Sequence, residues 1–109
     1  MKNTFAELPE YLDIFIDSVE WTFAKTMPKW PHEYIVRKNV DEKPFFDVVQ
    51  FIRSNGYEGY FYKRKLIYYK HKGMVYWTMG APIKDTVIIN RCKLEDTFEY
   101  RLKNGTLPD

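Results

Sequence analysis

Between Gly59 and Lys84 the chain carries six Lys/Arg, seven aromatic residues and no acid, although acids make up 15 of its 109 residues. Aromatic faces beside fixed cations suit a planar, negatively charged ligand, because stacking and charge pairing then act on one molecule. The expected partner is therefore a small anion of nucleotide-like or ADP-ribose-like type. Trp30, Tyr69, Tyr76 and Trp77 are the stacking candidates, and His32, Arg37, Arg64 and Arg91 the anion partners.

Two further constellations refine that set. In Lys29-Trp30-Pro31-His32-Glu33-Tyr34-Ile35-Val36-Arg37, strand alternation places His32 and Tyr34 on one side and Glu33 and Arg37 on the other, so His32 and Glu33 do not converge on one substrate atom. His32 enters from a proline-stiffened loop and can present an imidazole to a phosphate or ribose; the plainer alternative is a ring that satisfies a local backbone group. Asn90-Arg91 closes the apolar run Val87-Ile88-Ile89, which reads as a central strand covered on both faces. Arg91 offers a planar fork for phosphate and Asn90 an amide for a base or ribose edge, against an internal ion pair of Arg91 with Glu33, Glu95 or Asp96.

Several chemistries have no support. The chain lacks GxxxxGK[ST], GxGxxG and HExxH, and it has one cysteine, Cys92, and two histidines, so no cofactor and no structural zinc is expected. Cys92 and His32 are a formal nucleophile pair, although a lone thiol in an apolar strand ordinarily serves packing. A net charge of +2 is too mild for a duplex-DNA binder. Five acids against one base between Met1 and Ala24 confine the cationic surface to the middle of the chain. The single cysteine and the acids that interrupt the first apolar stretch point to a cytoplasmic protein without a membrane span.

The elements that must position these residues follow from periodicity. Leu12, Phe15, Ile16, Val19 and Phe23 predict a helix from Pro9 to Lys25, ended by Pro28 and Pro31, with Met27 to Pro31 an ordered loop and His32 to Lys38 a strand. Phe45, Val48, Val49 and Ile52 predict a second helix from Pro44 to Ser54, with Asn55-Gly56 as a left-handed cap. Strands follow at Tyr60 to Arg64, Leu66 to Lys70, Met74 to Met79 and Thr86 to Cys92, then a helix over Leu94 to Lys103 that buries Leu94, Phe98 and Leu102. The pattern is a single α+β domain: a mainly antiparallel sheet of about four to five strands with helices packed on one face.

A hairpin with a two- or four-residue loop at Gly73 sorts the side chains. Leu66, Tyr68, Val75, Trp77 and Met79 share one face, expected to be the core; Ile67, Tyr69, Met74, Tyr76 and Thr78 share the other, expected to be the ligand platform. A bulge at Gly73 would shift this register. The alternative for the platform is that its tyrosines only stabilise cross-strand pairs.

FAKTMPKWPHEYIVR (23–37) and YWTMGAPIKDTVIINR (76–91), joined by FIRSNGYEGYFYKRK (51–65), resemble a small single-domain family of uncharacterised bacterial and phage-type open reading frames. The resemblance spans nearly the whole chain and implies a prokaryotic or viral origin, with no catalytic residue attached. By analogy with small phage proteins that sequester host signalling nucleotides, the expected function is non-enzymatic ligand binding. The alternatives are a small nuclease or phosphodiesterase, with His32 as general acid or base beside Tyr34 and Arg91, and a module for RNA, single-stranded DNA or a protein. A homo-oligomer is compatible with every reading.

Overall fold

The computed structural model describes residues 6–26, 30–38, 42–61, 64–80, 85–97 and 103; in the strands, the side chains of Lys25, Thr26, Trp30, Phe61 and Arg64 lie outside that description. Among the described residues two helices, α1 (Glu10–Ser18) and α2 (Lys43–Asn55), accompany six strands: β1 (Thr22–Thr26), β2 (Trp30–Lys38), β3 (Tyr57–Phe61), β4 (Arg64–His71), β5 (Met74–Gly80) and β6 (Thr86–Lys93). They form one sheet in the order β1-β2-β6-β5-β4-β3, with every described pairing antiparallel. The α+β class therefore holds, with one strand more than the sequence predicts.

The extra strand comes from the predicted first helix, which stops at Ser18. The Trp21 indole donates to the Ile16 carbonyl at 2.9 Å, the group that a further helical turn would have used, and Val19 is already extended. Thr22 to Thr26 then runs as β1, where β-branched threonines are at ease. Phe23 continues the apolar period of the helix in sequence only; in the fold it is an exposed edge-strand residue. Residues 27–29 of the expected loop lie outside the described residues, and Trp30 and Pro31 belong to β2. Proline is tolerated at that position because the pairing of β2 with β6 begins only at Glu33.

Helix α2 follows prediction closely. Pro44 occupies the first turn, where its missing N–H costs nothing, and Phe45, Val48, Val49 and Ile52 all turn inward and are buried. Its end differs: Gly56 is extended (φ −84°, ψ 179°) and Asn55 is still helical, so no left-handed cap forms. Glycine is required there by space. A Cβ at Gly56 would lie 2.5 Å from the Tyr68 carbonyl oxygen and 2.7 Å from that of Ile52. Arg64 opens β4 and does not close the preceding strand. At the C-terminal end Leu94–Asp96 forms a 3-10 turn and Thr97 is extended, so the predicted helix does not begin at Leu94; Lys103 is helical, and residues 98–102 lie outside the described residues. Leu94 is exposed, and Phe98 and Leu102 lie outside the described residues.

Lys72 and Gly73 form the two-residue β4–β5 loop, both left-handed (φ 52° and 78°), which matches the twist of the strands. The register is Tyr68↔Trp77 and Tyr69↔Tyr76, so the predicted partition of side chains between two faces is correct. The face expected to be core is buried as predicted, but the expected platform is buried as well, beneath the helices. Both helices lie on the Tyr69/Tyr76 side, where Leu12, Ile16, Phe45, Val48, Val49 and Ile52 pack against Ile35, Ile89, Tyr69 and Tyr76. We call this the helix side and its opposite the far side. On the far side Tyr68, Val75, Trp77 and Cys92 form a second buried cluster, with Tyr57 and Leu66 against it.

Candidate functional site

Strand alternation carries the partition across the whole sheet. On the far side one cross-strand row reads Thr22, Tyr34, Asn90, Trp77, Tyr68 and Tyr57, taking one residue from each strand. Trp30 and His32 extend this face along β2, and Arg64 sits on it at the start of β4. Six of the ten predicted site residues, Trp30, His32, Tyr34, Arg64, Trp77 and Asn90, thus share the far side. The side chains of Trp30 and Arg64 lie outside the described residues.

The other four belong to the helix side and are committed to structure. Tyr69 and Tyr76 are not a platform: both are 4% exposed beneath the helices. The Tyr69 hydroxyl donates to the Ala6 carbonyl at 2.6 Å, and Tyr76 lies directly opposite Arg91 in the β5–β6 pairing. Burial raises the pKa of both hydroxyls, with Arg91 pulling that of Tyr76 the other way. Arg91 pairs with Glu33 at 2.7 Å, its direct cross-strand partner, as the internal ion-pair alternative expected. Arg37 pairs with Glu42 at 2.6 Å. Arg91 projects from the opposite face of the sheet to His32 and Tyr34, although His32 and Arg91 line one cleft together with Glu33.

On the far side the rings close over the central strand. His32 lies 6.1 Å from Tyr34 and 6.4 Å from Trp77 between ring centroids, and Tyr68 lies 5.8 Å from both Trp77 and Tyr57. The strands that carry His32 and Trp77 flank β6 and are thus two strand spacings, about 10 Å, apart. Rings 6.4 Å apart must therefore lean toward each other above β6. Asn90 is the β6 member of the Tyr34–Trp77 row. It is 4% exposed, and its Nδ2 is the one buried side-chain polar atom among the described residues without a hydrogen-bond partner. A buried amide donor without an acceptor costs about 1–3 kcal/mol, so such a group calls for an explanation. Charge is supplied at the margin, where the Lys70 ammonium lies 5.2 Å from the centre of the Tyr57 ring.

One cluster escaped sequence reasoning. Asp13 of α1 accepts from Lys72 at 2.7 Å and meets His71 Nε2 at 3.0 Å, which ties the helix to the β4–β5 hairpin. The Lys72 and His71 contacts hold the Asp13 carboxyl below its ordinary value. Nothing in the local pattern signals a pair so far apart in the chain. Among the described residues no group of three or more His, Cys, Asp or Glu gathers to hold a metal ion, and no helix is long and apolar enough to cross a membrane. Comparison with protein-family models, curated proteins and solved structures finds no match.

Proposed function

We propose that the protein binds, and by binding sequesters, a small nucleotide-like ligand on the far side of its sheet, without transforming it. The observation that carries this reading is the unpartnered Asn90 amide between Tyr34 and Trp77 in the cross-strand row, with the His32 ring near both of those rings. A base carries ring nitrogens and carbonyl oxygens on its edge that accept from such a donor. Its planar face suits the rings: two aromatic groups that hold a flat molecule between them stand about 7 Å apart, two van der Waals contact distances. The His32 and Trp77 ring centroids are 6.4 Å apart with their planes tilted by 37°, so the rings have to part and turn parallel to admit a base. The anionic part of the ligand then meets His32 and the cations at the rim, of which Lys70 is the one whose side chain is described.

The test is a thermal-shift and calorimetric panel of mononucleotides, cyclic dinucleotides and ADP-ribose derivatives. A ligand at about 100 times its dissociation constant adds roughly 2.7 kcal/mol of stability. The expected hit quenches tryptophan fluorescence, is recovered chemically intact after long incubation, and loses about 1–3 kcal/mol of affinity in Asn90→Ala. A panel without a hit, a hit indifferent to Asn90→Ala, or turnover beyond one equivalent overturns the reading. Affinity that appears only for oligonucleotides and grows with their length assigns the face to single-stranded nucleic acid instead.

A further inference from the structure

At one corner of the sheet a cleft of about 210 Å³ has Phe23, Pro31, Met74, Arg91 and Lys93 in its lining with Glu33 and Asp96, and it also reaches His32 and Cys92 of the far side. Arg91 is held there with unusual firmness. Its guanidinium carbon sits 4.1 Å from the centre of the Trp21 ring, its Nε donates to Glu33, and Tyr76 is its cross-strand partner on the adjacent strand. A guanidinium has five N–H donors in a fixed fork. The contact with Glu33 engages Nε at 2.7 Å and is not the two-point fork that arginine and carboxylate form at their strongest. The side chain is still 19% exposed and lines the cleft, which leaves its guanidinium within reach of a ligand. Lys93, exposed, adds a second cation, and Phe23, 64% exposed, adds an apolar wall.

We infer that this corner is a second ligand site, for a phosphate monoester carried on an apolar or aromatic group. The phosphate takes the outer fork of Arg91 together with Lys93, and the organic part lies against Phe23 and Met74. Glu33 competes for the same guanidinium as a built-in counter-ion, so it weakens the site and favours ligands that bring two oxygens to the fork. Arg91 and Lys93 lie on the opposite face from Asn90, although His32, which the function proposed there uses, also lines the cleft.

The probe is phenyl phosphate, titrated into the full chain and followed by the arginine Nε–H and backbone amide resonances. Saturable shifts are expected at Arg91 and Lys93, with inorganic phosphate and phenol each at least threefold weaker than the ester. Lys93→Ala, at an exposed position, should weaken binding at least threefold, and Glu33→Gln should tighten it by a similar factor. Asn90→Ala should leave it unchanged. The inference fails if wild-type resonances of Arg91 and Lys93 do not respond, if Lys93→Ala binds as wild type does, or if Glu33→Gln binds no more tightly while its urea midpoint stays near that of wild type. It fails equally if Asn90→Ala abolishes the response, which would merge the two sites.

Discussion

The two faces of the sheet carry similar residues to opposite ends. Tyr69 and Tyr76 on the helix side and Tyr68 and Trp77 on the far side are cross-strand aromatic pairs of the same hairpin, all nearly inaccessible. On the helix side the Tyr69 hydroxyl is bonded to Ala6 and Arg91 is paired with Glu33. On the far side an amide in mid-sheet has no acceptor. What separates a structural face from a candidate binding face in this molecule is the accounting of hydrogen bonds, since aromatic content is alike on both.

The sharpest break of the helix side is Phe45→Ala, at a residue fully buried between α2 and the sheet. A loss of about 3–5 kcal/mol is expected in urea unfolding, enough to leave much of the chain unfolded if total stability is ordinary. The far side should respond with the opposite sign. Asn90→Val removes a donor that has no partner and places a β-branched side chain in a central strand, so the ligand-free protein should gain about 1–2 kcal/mol while losing its response to the nucleotide panel. A destabilised Asn90→Val protein would mean that the amide is satisfied in solution, and the contrast between the faces would disappear.

Smaller effects sharpen the same contrast. Tyr69→Phe deletes the bond to Ala6 and should cost about 1 kcal/mol without touching ligand affinity. Asp13→Asn tests the tie between α1 and the hairpin through its pH dependence. The Asp13 carboxyl is held below its ordinary value of 3.8, first by Lys72 and then by His71, so its contribution is present above that pH and is lost as pH falls through the lowered value. The difference in thermal midpoint between wild type and Asp13→Asn should therefore be level near neutrality and vanish on the acid side of 3.8.

Local rules made much of this legible. Apolar spacing located α2, and Gly73 with its flanking alternation fixed the hairpin and its partition of side chains. Asn90 stood out because an amide directly after Ile88-Ile89 needs a reason. The face that receives the helices was not legible, since aromatics occupy both sides of β4 and β5 and only the docking of α1 and α2 decides between them. The end of α1 was hidden for a related reason. Val19 and Phe23 keep the helical period across a break made by the Trp21 indole, a contact that composition does not announce. Arg91 could be narrowed to three acids; the β2–β6 register selects Glu33.

The order β1-β2-β6-β5-β4-β3 also has a consequence for how the chain reaches this state. From β3 to β6 each strand pairs with its chain neighbour, so that meander can assemble from contacts of short sequence separation. The seam between β2 and β6 is different: Ile35 meets Ile89 only after α2 and three strands have been looped out. Closing a loop of roughly 50 residues carries an entropic cost of about 3–4 kcal/mol before any contact offsets it. The seam is accordingly expected to form late and open early. Tyr34 and Asn90 face each other across it, so the row that holds the amide exists only once folding is complete. A ligand gripping both strands would act as a clasp on the last joint to close, slowing unfolding more than it speeds folding.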